Sequence, residues 1–164
     1  MKPRPLHIAL FISGLITFIM LAISVGGASW IKIEDRHIGL WKICYVQTGK
    51  CASLHGNWVE TWLKVTRTFS LLSTIVTGLS VLFVVLAVAT KRVNILLPIV
   101  CLFAAAVFEM IAMVVYSTEK KLTFPGNIKY SWGYHFGWMG FTAAFVSGFI
   151  GVVLRRGDEE YTPI

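Results

Sequence analysis

Apolar residues fill four long stretches of the chain almost without interruption, and the polar residues collect between them. No formal charge occurs from residue 5 to 31, from 68 to 90, or from 130 to 154, and from 93 to 118 the one charge is Glu109. About 20 apolar residues, at a rise of about 1.5 Å each, carry a helix across the hydrocarbon core. The pattern therefore predicts helices near 6–29, 68–90, 95–117 and 132–154, with loops at 30–67 and 118–131 and a tail at 155–164, all in a single four-span domain over 1–164. Within 30–67, Trp, Ile, Val and Tyr mix with Gly and Asn, which suggests short strands. The expected fold is membrane α-helical: a four-helix transmembrane bundle carrying a small extracellular antiparallel β-sheet on the membrane surface.

Composition strengthens this reading. Of 164 residues, 56% are hydrophobic and only 14% charged, whereas a soluble domain carries about 25% charged residues, so a soluble domain and a disordered chain are both excluded. A net charge of +7 would suggest nucleic acid on a soluble protein; on this chain it is first a question of topology. Four spans put both termini on one side, with Lys2, Arg4, Lys91, Arg92, Arg155 and Arg156 against Lys32, Arg36, Lys42, Lys50, Lys64, Arg67, Lys120, Lys121 and Lys129 on the other. The second set is larger, but the first is denser, and Lys91-Arg92 fills a tight turn that is hard to translocate. Both termini are accordingly placed in the cytosol, and no nucleic-acid partner is expected. The cations on the other side outnumber Glu34, Asp35, Glu60 and Glu119, which leaves a basic outer surface suited to acidic partners or anionic glycans. Lys2 and Arg4 before an apolar run that ends at Gly26-Gly27-Ala28-Ser29 could also mark a signal peptide. The run exceeds the roughly 7–15 residues of a usual signal, so a retained helix is the expectation.

Cys44 and Cys51 flank a segment containing Gly49 and can close a small hairpin if the loop faces an oxidising compartment; two free thiols are the alternative, and the orientation above favours the disulfide. Cys101 falls inside a span, where it acts as a small apolar residue.

Trp30, Gly39-Leu40-Trp41, Cys44 and Cys51 together form a W…GLW…C…C pattern immediately after the first helix. In this the chain resembles the claudin superfamily. Thr66-Arg67-Thr68-Phe69, Tyr116-Ser117 and Tyr130-Ser131-Trp132-Gly133-Tyr134 look like the branch of epithelial membrane proteins, peripheral myelin protein and lens fibre membrane protein. The resemblance implies four strands from the first loop and one from the second, packed over the bundle, with the tryptophans and cysteines holding the sheet to the membrane surface. An interfacial aromatic belt is the other reading of Trp30 and Trp41. The close spacing of the cysteines and the short, basic second loop depart from typical claudins, so pore formation is not carried over.

Along the fourth span Gly133, Gly137, Gly140, Ala144, Gly148 and Gly151 recur three or four residues apart, which strips one helix face of side chains and lets a neighbouring backbone approach. The spacing leaves open whether that neighbour belongs to the same chain. Ser70, Ser73, Thr74, Thr77 and Gly78 make a small polar stripe on the second span. Glu109 is an acid within hydrocarbon, costing on the order of 2.5–3.5 kcal/mol to insert, and should face the bundle either protonated or hydrogen-bonded. It lies about 12 Å below the outer helix end; Thr74 and Thr77 are expected at its depth and His135 somewhat nearer the surface. A structural role is favoured over proton or ion handling.

His7, His37, His55 and His135 are scattered without ligand spacing, and no phosphate loop, nucleophile elbow or water-accessible carboxylate pair occurs. No metal, cofactor or catalytic residue is expected. The ending Tyr161-Thr162-Pro163-Ile164 fits a Tyr-x-x-apolar signal for a clathrin adaptor through Tyr161 and Ile164, or a Thr-x-apolar terminus through Thr162 and Ile164 for a PDZ-type groove; a solvated stub is the plain alternative. With Ala104-Ala105-Ala106 and Tyr116-Ser117, this tail also resembles the natural killer cell granule protein, which implies a lysosomal or granule membrane as a second address. The favoured reading is a non-enzymatic tetraspan protein of the plasma membrane, embedded in the lipid bilayer, contacting other membrane proteins or itself, laterally or between cells. An auxiliary subunit of a channel or pump, or a small transporter using Glu109, would be its competitors.

Overall fold

Inside hydrocarbon every backbone amide and carbonyl must find its partner within the protein, and a continuous helix does this locally. The computed structural model describes residues 5–56, 59–90, 93–123 and 128–160. Its helices are α1 (Pro5–Gly26), α2 (Thr61–Thr90), α3 (Leu96–Thr123) and α4 (Trp132–Glu160). All four are long and apolar enough to cross a membrane. Three of them outrun their charge-free windows: α2 begins at Thr61 rather than near 68, α3 continues to Thr123 rather than 117, and α4 to Glu160 rather than 154. Charges bound the stretch that can sit in lipid, but they do not end a helix once it reaches water. Helix starts follow local chemistry. Pro5 and Pro98 fall in first turns, where a missing N–H is harmless, and the Asn94 side-chain oxygen accepts from the Leu96 amide at 2.9 Å, capping α3.

The helices form a ring in the order α1-α2-α3-α4, each packed on two neighbours. Ile12, Ile16, Ile75, Val107 and Phe149 point outward and are exposed, as lipid-facing positions should be. Hydrophobicity cannot drive helices together in lipid, so the seams must rely on close packing and polar bonds. Between α2 and α3 the hydroxyl stripe does this work: Ser73 donates to the Ala105 carbonyl and Ser80 to the Pro98 carbonyl, both at 2.9 Å. Between α1 and α4, Ser24 donates to the Gly133 carbonyl at 2.9 Å.

The small-residue face of α4 settles between α1 and α3 of the same chain. A Cβ at Gly140 would stand 2.5 Å from Leu21 Cδ2, and one at Gly137 would stand 2.6 Å from Met113 Sδ. At Gly151 it would meet Ile99 at 2.8 Å and Leu10 at 2.9 Å, and at Gly148 it would meet Phe103 at 3.1 Å. Ala144 is fully buried on the same seam.

Five short strands lie over one end of the ring: β1 (Ile31–Ile33), β2 (Arg36–Ile38), β3 (Lys42–Tyr45), β4 (Cys51–Ser53) and β5 (Lys129–Tyr130). They make one sheet in the order β4-β3-β2-β1-β5, and all neighbours are antiparallel. The first loop thus contributes four strands and the second one.

Filling the α4 seam should loosen the bundle. Gly140→Val is expected to cost roughly 1–3 kcal/mol, the usual range for overpacking, and to lower the thermal unfolding midpoint in detergent. Thr142→Val, at an exposed position on the same helix, should leave that midpoint where it is.

Candidate functional site

A sheet of two- to four-residue strands buries too little surface to stand alone. Here its apolar face is completed by the helix ends. Trp30, Ile31, Ile38 and Leu40 form one buried cluster with Val59 just before α2, Leu63 in its first turn, and Met113 and Tyr116 from the outer part of α3.

Trp30 is wholly buried at the centre of this junction. Its indole Nε1–H donates to the Ser24 carbonyl at 2.8 Å, satisfying a carbonyl near the end of α1. Its ring meets Tyr116 edge-on at 4.7 Å and Tyr134 at 6.3 Å, and its backbone links Ile38 on one side to Ser131 on the other. Trp30 therefore touches no lipid, and the aromatic-belt reading does not describe it. The Tyr134 hydroxyl continues the ring of contacts to Ser117 Oγ at 2.9 Å, tying α4 to α3.

Gly39-Leu40-Trp41 is the turn from β2 to β3, and each residue has a distinct task. A Cβ on Gly39 would fall 2.6 Å from the Gly27 carbonyl oxygen and 2.7 Å from the Ala28 carbonyl carbon, so the turn lies flush on the α1–β1 link only because residue 39 is glycine. Leu40 is fully buried. Trp41, half-buried, donates from Nε1 to the Val25 carbonyl at 2.8 Å. Two tryptophans from the loop thus satisfy consecutive carbonyls at the end of α1.

Arg67 locks the turn from the helical side. Its Nε donates to the Leu40 carbonyl at 2.7 Å, its NH2 group donates to the Leu54 carbonyl at 3.2 Å, and its guanidinium lies 4.9 Å from the Trp41 ring centroid. Arg67 was missed as a site residue by sequence reasoning, because the last charge before an apolar window reads as a boundary. An arginine, two turns into a helix that follows an aromatic-rich loop, is the signal that could have found it. A smaller polar cluster closes the other edge: Ser29 Oγ donates to Ser131 Oγ at 2.9 Å and is hydrogen-bonded with His37 Nδ1 at 3.1 Å. Ser24, Ser29 and Ser131 were not singled out either, since serines are common in membrane helices and near their ends.

Cys44 and Cys51 are directly opposite one another on β3 and β4 and form a disulfide. The bond staples β4, whose three residues are exposed, onto the sheet at its outer edge. Cys101 remains a free cysteine inside α3.

Glu109 lies apart from the junction, fully buried within α3. Its Oε1 accepts from Ser70 Oγ at 3.2 Å, while Oε2 has no partner among the described residues. Thr74 and Thr77, expected at its depth, do not bond to it. Each hydroxyl turns back onto its own helix, to the Ser70 and Ser73 carbonyls respectively, at 2.9 Å. His135 is exposed. Counting residues from a helix end gives depth but does not say which hydroxyl turns across the seam. Tyr161, Thr162 and Ile164 lie outside the described residues.

A ring of four membrane helices under a disulfide-stapled sheet of five antiparallel strands, joined by one tryptophan before the sheet and another in a GLW turn, defines a claudin-type tetraspan. Residues 6–151 match the PMP-22/EMP/MP20/Claudin family, and the chain belongs to that family. It is similar to Claudin domain-containing protein 2 of Mus musculus, with 26% identity over 136 residues that cover 82% of this chain and 78% of the relative. It is therefore a multi-pass protein of the lipid bilayer.

If Arg67 fastens the sheet, charge alone will not replace it. Arg67→Lys cannot reach both carbonyls in the same planar geometry. Arg67→Ala should lower stability by about 1.5–3 kcal/mol, the range for hydrogen bonds to a charged group, and Arg67→Lys should fall between it and wild type. Thermal unfolding followed by near-ultraviolet circular dichroism reads this out; equal midpoints for all three proteins would mean that the contacts are incidental.

Proposed function

We propose that this protein is a non-enzymatic scaffold of the plasma membrane that organises lateral or cell-to-cell contacts through its sheet, with both termini in the cytosol and the sheet outside the cell. One observation carries the reading. The sheet is fastened to α1, α2, α3 and α4 at once, through Trp41 to Val25, Arg67 to Leu40 and Leu54, and Trp30 to Tyr116 and Tyr134. A surface held that rigidly can present a fixed contact face at no ordering cost when a partner arrives. The Cys44–Cys51 disulfide supports the outside placement, because such bonds persist in oxidising compartments, and the dense cationic segments at the opposite end support a cytosolic location there.

Glu109 supports a structural role in the same reading, since its carboxylate sits in the hydroxyl seam that joins α2 to α3. Glu109→Gln retains an acceptor for Ser70 and is expected to fold and reach the cell surface like wild type. Loss of surface expression would count against the structural role, and a conductance dependent on pH in wild type would point to transport instead.

The contact role has a direct assay in mixed cultures of expressing and non-expressing cells that otherwise lack family members. The protein should concentrate at borders between two expressing cells, and the double variant Cys44→Ser/Cys51→Ser should do so less. Equal density at every border would contradict a contact function. Retention in internal vesicles that Tyr161→Ala releases to the surface would instead favour the endolysosomal address.

A further inference from the structure

The strand register gathers unpaired cations on one face of the sheet. Lys129 on β5 is directly opposite Lys32 on β1, Lys32 is opposite His37 on β2, His37 opposite Cys44 on β3, and Cys44 opposite Cys51 on β4. Directly opposed residues share a face, with Cβ atoms about 4.5–5.5 Å apart. The result is one row across all five strands, cationic at one end and closed by the disulfide at the other. Lys42, two residues before Cys44 on β3, adds a further ammonium diagonal to His37.

The two arginines near the sheet are already engaged: Arg36 packs over the Tyr45 ring at 5.3 Å, in the alternate row Ile33–Arg36–Tyr45, and Arg67 holds the GLW turn, while Lys50 in the β3–β4 turn and Lys64 on α2 stand outside the row. Lys32, Lys42 and Lys129 are exposed, and their side chains have no hydrogen-bond or ion-pair partner among the described residues. The acids between the strands are placed elsewhere. Glu34 and Asp35 occupy the β1–β2 turn, where Asp35 accepts from the Gln47 amide. Two lysines directly opposite on neighbouring strands repel each other and weaken the sheet. A bound anion would relieve that repulsion.

We propose that this face is a binding surface for a sulfated polysaccharide lying across the strands, with Lys129 and Lys32 gripping its sulfate groups and Lys42 extending the track. The proposal rests on the outside placement of the sheet, where repeating polyanions are glycans rather than nucleic acids. Three features fit a polysaccharide. The charges recur along a line, as they do on a linear polyanion. They are ammonium groups, which donate to sulfate oxygens from many directions, where a guanidinium would impose a planar geometry. They also stand on a sheet that is already rigid. Attraction of this kind is screened by salt.

The test uses the full-length protein in nanodiscs of zwitterionic lipid, applied to immobilised heparin and eluted with a sodium chloride gradient. Wild type should be retained, and Lys32→Glu/Lys129→Glu should elute at less than half the salt concentration. Lys50→Glu/Lys64→Glu changes net charge equally from the β3–β4 turn and α2, and should elute close to wild type. Lys32→Gln/Lys129→Gln removes the repulsive pair without reversing it, so it should fold at least as stably as wild type and still lose most retention. Equal losses in the two glutamate pairs would overturn the proposal by reducing it to general basicity. Passage of wild type through the column would overturn it, as would equal retention on desulfated heparin, and tighter binding to phosphatidylserine nanodiscs than to heparin would assign the face to lipid. Because purified protein binds or does not bind heparin whatever its orientation in cells, failure here is distinct from failure of the contact assay.

Discussion

The strands are too short to hold themselves together, and everything above the membrane depends on how that deficit is met. Trp30 meets it by belonging to two structures at once. Its backbone lies in the sheet, between Ile38 and Ser131. Its side chain lies in the bundle, against Tyr116 and Tyr134, with its N–H on the Ser24 carbonyl. A helix must leave its last carbonyls without intrahelical partners, and in this protein Trp30 joins the Gly27 amide in donating to Ser24 while Trp41 donates to Val25. The end of α1 and the start of the sheet therefore stabilise each other, and neither surface is complete alone.

Within the membrane the constraint is different, because lipid offers no hydrophobic drive for helices to associate. The protein answers with two kinds of seam. One is polar, through Ser73 and Ser80 donating to carbonyls of α3, with Glu109 accepting from Ser70. The other is almost free of side chains, through the glycines of α4 against Leu21, Ile99 and Phe103. Together they close a ring whose outer surface stays apolar. The two regimes join where Ser24 reaches the Gly133 carbonyl one turn below the sheet, so the helix seam and the sheet junction are continuous.

Much of this could be read from the amino-acid sequence, and what could not has identifiable causes. The four helices were legible because the insertion of a charge into lipid is expensive, which leaves long windows free of charge. The family pattern was legible because Trp30, Gly39, Trp41 and the cysteine pair each meet a steric or bonding demand that few other residues can. Arg67 was not recognised, since its role depends on the Leu40 and Leu54 carbonyls, brought near it by the fold from well upstream. Ser70 was not foreseen as the donor to Glu109, because depth along each helix does not say which hydroxyl the packing at the seam turns toward the carboxyl group. The neighbour of the α4 glycines was unreadable for a related reason: spacing defines a face and says nothing of what fills it.

A platform fastened to all four helices turns a membrane bundle into a support for contacts outside it, and that coupling is the central claim. Amide hydrogen exchange in nanodiscs tests it most directly, comparing wild type with Trp30→Phe, which keeps an aromatic ring but loses the donor to Ser24. The coupling predicts that amides of β1 and β2, the last turn of α1 and the first turn of α4 will all exchange faster together, while the middle of the α2–α3 seam stays protected. Faster exchange confined to the strands, with the helix ends unchanged, would contradict it.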